Sequence, residues 1–530
     1  MDQHAGHPRR WATLGVLIVC LLVVVLDNTI LNVALKTIQE DLDASQSQLE
    51  WAVNSYTLIF AGLMFTAGVL GDRYGRRLFL IIGLLVFGAA SAASAFVDTP
   101  AQLITTRALM GIGAAMVQPQ TLSIITNVFG PKERGKAIGI WAGFSGLAIA
   151  IGPITGGFLL EHFWWGSVFL VNVPFVIVGS VAALMIVPES RDPKPRRLDP
   201  FGVVLSIVGI STLVYGIIHG GETGNWTTPG VLGPIVGGLA LIAVFVWMEK
   251  RSTHPALDVT LFKNPAFSAG TVTLAVVFFA MMGLTFSSAF YLQAIRDYSP
   301  LEAGAWLLPV AVAILLTAPQ SSKLVARFGS RAVISTGMFI AGLGMGGYYF
   351  LDSDSPMWLF AVTIFVMGLG MGNVMAPATE SIMSAVPRDK AGAGSAVNNT
   401  VRMIAGALGV AILGSVLSTT YRSNVEPDLK VLPEGSRHDA GESIGDTFQA
   451  VAQVAKSVAQ GKTPPEALNG LDILARSAND AFIAGMHNVA ICSVIIAWAG
   501  AILAAIFMPG KKSAAPVSED KPQIAEKVAA

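Results

Sequence analysis

The sequence predicts an all-α polytopic membrane protein: fourteen transmembrane helices in two pseudo-symmetric six-helix bundles, with a two-helix insert between them. Three observations carry that expectation. Of 530 residues, 53% are hydrophobic and only 13% charged, against roughly 25% charged in soluble domains. Fourteen apolar stretches are each long enough to cross a bilayer, given about 20 residues per crossing. The two halves also repeat each other's motifs in the same order. Net charge is zero, with 34 basic and 34 acidic residues, so no bulk field points to nucleic acid.

The stretches fall at 11–35, 51–71, 78–97, 101–122, 137–160, 167–187, 201–220, 230–248, 267–292, 303–322, 332–351, 357–379, 393–418 and 483–508. The first is about twice the length of a signal-peptide core and lacks a small-x-small cleavage pattern, so it reads as a retained span. If the N-terminus is cytoplasmic, the inner loops collect Arg73, Arg76, Arg77, Lys132, Arg134, Lys136, Arg196, Arg197, Lys250, Arg251, Arg327, Arg331 and others, while the short outer loops hold little beyond Arg296. That bias places both termini in the cytoplasm of a multi-pass cell-membrane protein. Cys20 and Cys492 each lie inside a span and read as packing residues; neither a disulfide nor a metal site is expected.

The organisation that follows is an N-terminal bundle at 11–187, a Pro-rich basic linker at 188–200, the insert at 201–248, a C-terminal bundle at 267–508 and a cytoplasmic tail at 511–530. The external loop 421–480 is polar but patterned. Phe448, Val451, Ala455 and Val458 share a helical face, and Thr463-Pro464-Pro465-Glu466 has the form of a capping box. Two short helices are expected there, over the outer surface or running into the last span.

The repeat is explicit in the residues. Met110-Gly111-Ile112-Gly113 followed by Pro119 matches Met367-Gly368-Leu369-Gly370 followed by Pro377, 257 residues on at its first residue. Pro131-Lys132-Glu133-Arg134-Gly135 matches Pro387-Arg388-Asp389-Lys390-Ala391 at 256, and Arg73-Tyr74-Gly75-Arg76-Arg77 matches Arg327-Phe328-Gly329-Ser330-Arg331 at 254. Parallel repeats of this kind are an architecture of secondary transporters, with the site between the halves.

Asp27 stands out against this background, because it sits within the first apolar span, in Val23-Val24-Val25-Leu26-Asp27-Asn28-Thr29-Ile30. A carboxylate near a helix centre costs roughly 2.5–3.5 kcal/mol on insertion scales and marks a functional candidate. Arg107 in the fourth span lies at a similar depth, roughly 9 Å below the outer end against about 12 Å for Asp27 at 1.5 Å per residue. An opposite charge within about 4–6 Å favours an ionised carboxylate and apolar burial favours the neutral acid. A rearrangement that changed their separation would therefore load or release a proton. The alternative is a static pair bracing two helices. Repeat offsets carry Asp27 to Met281-Met282-Gly283-Leu284 and Arg107 to Ala361-Val362-Thr363-Ile364, windows without charge. The pair is thus present in one half only.

Taken together these motifs give a family resemblance covering about residues 11–508: the chain resembles the fourteen-span drug:proton antiporters of the major facilitator superfamily. Gly68-Val69-Leu70-Gly71-Asp72-Arg73-Tyr74-Gly75-Arg76-Arg77 is similar to the superfamily's loop between spans two and three. Leu26 to Leu35 resembles the first-span motif, with Lys36 where Pro is usual, and Arg107 to Gly113 resembles the fourth-span motif, with Met110 replacing a common Gln. Gly146 to Gly157 (GLAIAIGPITGG) resembles the fifth-span motif associated with antiporters.

The resemblance implies a proton-coupling role for Asp27 and Arg107, or alternatively an Arg107 that chiefly positions the water and proton path. It also implies a cytoplasmic latch built from Gly68, Asp72, Arg73, Gly75 and Arg76 that closes when the site faces outward. Physically, Asp72 can accept hydrogen bonds from a neighbouring helix N-terminus and pair with a basic residue; the alternative is that the basic residues only fix topology. Gly146, Gly152, Pro153, Gly156 and Gly157 would seal the halves against proton leak, whereas the chemistry alone indicates tight, kinked helix packing.

Candidate cargo contacts are Phe278, Met282, Phe286 and Phe290, one stripe of the ninth span, whose alternative is a face against lipid or another helix. Arg402 in the thirteenth span could meet an anionic cargo group or pair with Glu380.

The expected function is proton-coupled export of amphipathic small molecules, such as antibiotics, by alternating access. Partners are the cargo, protons and the bilayer, with no nucleic acid, no evident obligate protein partner and no cofactor. No Gly-x-x-x-x-Gly-Lys-Ser/Thr loop supports an ATP-driven pump, and no metal cluster or nucleophile-base pair supports an enzyme. The alternatives are an exporter of an endogenous metabolite, siderophore or lipid, and a membrane sensor that uses the external loop.

Overall fold

A computed structural model describes residues 7–510 except 43, 45, 192–199, 224, 252–258, 388, 389, 442, 461–467 and 469. Every regular element among these residues is helical. Most of the linker, the two central residues of the Pro387–Ala391 motif, the Thr463–Glu466 box and the tail therefore lie outside the described residues.

Six helices open the chain: α1 (Arg10–Leu42), α2 (Gln46–Tyr74), α3 (Arg76–Ser94), α4 (Pro100–Val128), α5 (Pro131–His162) and α6 (Ser167–Ile186). The insert contributes α7 (Pro200–Thr223) and α8 (Pro229–Arg251). The second half follows with α9 (Pro265–Ile295), α10 (Leu301–Phe328), α11 (Ser330–Phe350), α12 (Met357–Ala385) and α13 (Ala391–Val425). After the short helices α14 (Glu434–Ala440) and α15 (Ile444–Ala459), α16 (Leu471–Phe507) closes the fold. Thirteen helices among the described residues are long and apolar enough to cross a membrane; α7 has a shorter apolar core, Val204–Gly220.

Local chemistry sets the helix starts. Proline occupies the first turn of α4, α5 and α9, where its missing N–H would have had no partner anyway. Thr99 caps α4 by accepting from the Gln102 amide, and Asn264 caps α9 by accepting from Ala266 at 2.9 Å. Ser299 and Glu302 form a capping box on the segment that leads into α10.

The halves repeat in their packing as they do in their motifs. Within the first half α2 packs on α4, α3 on α4, α1 on α5, and α6 on α1 and α3. Within the second, α10 packs on α12, α11 on α12, α9 on α13, and α16 on α9 and α11. Contacts between halves repeat too: α13 lies against α2 and α4, and α5 lies against α10 and α12.

The insert touches both halves through α7. Tyr215 stacks on Trp51 of α2 at 6.2 Å, Leu213 and Ile217 cluster with Ala411 of α13, and Trp226 donates to Ser415 at 3.2 Å.

Gly75 and Gly329, matched by the repeat, join α2 to α3 and α10 to α11 with φ of 128° and 86°. Such dihedrals cost a residue bearing Cβ about 1–3 kcal/mol. Gly75→Ala is therefore expected to lower the melting temperature by several degrees in differential scanning fluorimetry. Gly15→Ala, in a helix where an added Cβ meets nothing within 4 Å, is expected to leave it unchanged or raise it.

Helix limits run past the apolar stretches. The last helix starts at Leu471 rather than near 483, and its added first turns carry Asp472, Arg476 and Asp480. Of the external loop, α15 lays Phe448, Val451 and Val454 on the core, and its Thr447 hydroxyl bonds the Tyr421 hydroxyl at 2.6 Å. Cys20 and Cys492 are both free thiols.

Candidate functional site

Asp27 and Arg107 are in direct contact. Arg107 Nη1 donates to Asp27 Oδ2 at 2.6 Å, with both side chains about as buried as any in the molecule, at 2% and 1% exposure. The other carboxylate oxygen, Oδ1, accepts from Asn172 Nδ2 of α6 at 3.0 Å; that amide nitrogen also donates to Ser91 Oγ at 3.1 Å. Ser91 in turn donates to the Phe169 carbonyl at 2.9 Å. Arg107 is held from its other side: Nε donates to the Ala52 carbonyl at 3.3 Å, and its guanidinium carbon sits 4.4 Å from the Tyr56 ring centre. The Tyr56 hydroxyl accepts from Asn28 at 3.3 Å. Five helices of the first half, α1, α2, α3, α4 and α6, thus join in one polar network around this carboxylate.

Helix α5 sets the other wall of α1. A side chain at Gly152 would collide with Thr29 Oγ1, and one at Gly156 would lie 3.3 Å from the Ile30 carbonyl. The same stretch meets the second half, since a Cβ at Gly304 would come within 2.7 Å of Pro153, one at Gly157 within 3.1 Å of Leu301, and one at Gly146 within 3.3 Å of Ile314. The fifth-span motif therefore packs one turn from Asp27 on one side and against α10 on the other.

Asp72 lies at the end of the bundle that carries the α2–α3 turn, and it bridges the halves. Oδ1 accepts from the Gly392 amide at 2.9 Å and Oδ2 from the Ala393 amide at 3.1 Å, which caps the first turn of α13. Arg76 braces the same carboxylate with Nε 2.7 Å and Nη2 2.6 Å from Oδ1. Gly68 permits this approach: a Cβ there would stand 2.6 Å from the Gly392 carbonyl and 3.0 Å from the Ala396 Cβ. Arg73 is placed differently, with its guanidinium 5.4 Å from the Tyr74 ring centre.

A second carboxylate meets the first turn of α5, the repeat counterpart of α13, although it comes from α12 and not from α10, the counterpart of α2. Glu380 of α12 fills the space that a side chain at Gly135 of α5 would need, beside Arg134. Gly135 and Gly392 are 257 residues apart, so each half presents a carboxylate to the first turn of the other half's equivalent helix. Glu380 is accordingly not the partner of Arg402.

Arg402 instead extends from α13 to two aromatic rings. Its guanidinium carbon is 4.3 Å from the Phe278 ring centre and 5.9 Å from that of Trp141 on α5. Of the aromatic stripe, Phe278 alone contacts Arg402. Met282 lies against Gly406, Phe286 against Gly414, and Phe290 between Phe286 and Phe482, so this part of the stripe is a seam between α9 and its neighbours α13 and α16.

The superfamily's model, described as Major Facilitator Superfamily, matches residues 17–410. The chain belongs to the major facilitator superfamily. It is 35% identical over 421 residues to the tetracenomycin C resistance and export protein of Streptomyces glaucescens, covering 79% of this chain and 78% of that one. It is 34% identical over 502 residues to the multidrug efflux pump LfrA of Mycolicibacterium smegmatis, covering 94% and 96%. The methyl viologen resistance protein SmvA of Salmonella typhimurium is 33% identical over 488 residues, with 92% and 95% covered. The crystal structure of the human organic anion transporter MFSD10 superposes with a TM-score of 0.59 at 11% identity, over 93% of this chain and 100% of that one, and so shares the fold. The chain is a multi-pass membrane transporter whose relatives are resistance and efflux proteins.

Three residues of the transporter's polar centre escaped the sequence reading. Asn172 is the sole amide side chain in the apolar α6, a signal that buried polar residues in apolar spans do provide. Tyr56 and Trp141 looked like ordinary aromatic residues, and only the folded geometry sets them against Arg107 and Arg402.

Proposed function

We propose that this transporter exports amphipathic small molecules, drugs and antibiotics among them, across the cytoplasmic membrane in exchange for protons. Its fourteen spans count α7, its two six-helix bundles are 11–187 and 267–508, and both termini are cytoplasmic. The observation that carries the proton-coupling reading is the buried Asp27–Arg107 pair with its Asn172 support. A carboxylate whose charge is matched by one arginine has two low-cost states: ionised against Arg107, or protonated once the arginine is withdrawn. The bundles supply the motion. Asp72 and Glu380 hold the cytoplasmic ends together, and releasing them opens the cavity inward. A proton entering down the membrane potential contributes about 2.3 kcal/mol per 100 mV, free energy that drives uphill export when the two movements are coupled.

The relatives' resistance and efflux roles favour drugs over endogenous metabolites as cargo. Proteoliposomes with an imposed pH gradient and a panel of tetracenomycin-like polyketides, puromycin and viologens test this reading. Uphill movement of at least one compound that collapses with the gradient is expected. Gradient-independent movement of every compound would overturn it.

A further inference from the structure

We infer that Arg402, where α13 meets α9 and α5, is an anion-binding element for cargo, and that the transporter prefers cargo bearing a carboxylate or a comparable organic anion. The designation of that anion as cargo rests on the exporter reading; the site itself rests on geometry. Arg402 lies about 16 Å along α13 from its start at 1.5 Å per residue, at the junction of α13, α9 and α5.

Two ring faces hold the guanidinium, and one of them is fixed by the Trp141 Nε1 hydrogen bond to Thr121 at 3.2 Å. No carboxylate among the described residues pairs with it. Trp141 and Phe278 are buried, and Arg402 is half-buried between them. Arg107, the other deeply placed arginine described above, has its aspartate; Arg402 has only aromatic rings, which leave its forked donors available for a bidentate acceptor.

A second observation points the same way. Asn398 lies one turn earlier on the same face of α13, fully buried, with neither Nδ2 nor Oδ1 hydrogen-bonded. An amide donor that no protein group satisfies, next to an arginine without a counter-charge, suits a planar anion.

The test is isothermal titration of the full chain in nanodiscs with 2-naphthoate and with 2-naphthylmethylammonium, matched in shape and opposite in charge. Naphthoate is expected to bind at least about tenfold more tightly. Arg402→Gln is expected to erase that preference and Arg402→Lys to keep part of it, with melting temperatures checked for both variants. Equal affinity for the two probes, binding of neither, or an unchanged preference in Arg402→Gln overturns the inference. Chloride displacing naphthoate at equal concentration assigns the site to inorganic anions and overturns it as well. The exporter reading fails separately: gradient-driven export without naphthoate preference removes only the anion site, and naphthoate preference without any gradient-driven export leaves the site and removes its role in efflux.

Discussion

Asp27→Asn abolishes pH-gradient-driven export in proteoliposomes while the protein still inserts and still binds cargo. The substitution keeps the shape of the side chain and its contact with Asn172, but it removes the carboxylate that pairs with Arg107. An arginine stranded there without its counter-charge costs about 3–5 kcal/mol, so the variant should also melt several degrees lower. The double variant Asp27→Asn/Arg107→Gln separates the two readings of the pair. If the pair merely braces α1 against α4, removing both charges recovers stability and transport together. Proton coupling instead requires that stability return and uphill export stay lost.

The second large effect belongs to Asp72. Its two oxygens satisfy two backbone amides of α13 and an arginine at once. Asparagine offers one acceptor and presents donors to the other amide, leaving a buried N–H unpaired at about 1–3 kcal/mol. Because this clasp exists only where the ends of α2 and α13 meet, the loss falls on that conformation alone. A bias of 1.4 kcal/mol changes a two-state ratio tenfold, so Asp72→Asn should depopulate the latched state by roughly 5- to 150-fold. Spin-label distances between the first turn of α13 and the α2–α3 turn report it. A distribution identical to the parent's would show that the clasp carries no conformational weight. Glu380→Gln should act in the same direction at the α5–α12 seam.

Much of this was legible in the sequence because membrane insertion writes its demands in composition. The apolar runs made the all-helical membrane fold legible, and thirteen of the helices they point to are long and apolar enough to cross a membrane among the described residues. The costly carboxylate at 27 and its basic companion at 107 were visible as charges where charge is expensive. Less legible was what lies between helices. The Glu380 environment depends on the approach of α12 to α5, and sequence spacing offered Arg402 as its partner when the packed structure offers Arg134. The stripe from Phe278 to Phe290 has the same periodicity whether it faces cargo or a helix, and Met282 and Phe286 of it meet glycines of α13. Helix ends lie beyond the apolar runs for a simple reason. Hydropathy stops at the edge of the lipid, whereas backbone hydrogen bonding in α16 continues into water.

The most direct test is a measurement of protons when cargo binds. In weakly buffered detergent solution with a pH indicator, a transported compound added to the parent protein should release protons, because cargo and proton occupy the transporter in alternation. Asp27→Asn, binding the same compound, should release none. An equal proton release from both proteins would contradict the assignment of Asp27 as the coupling carboxylate.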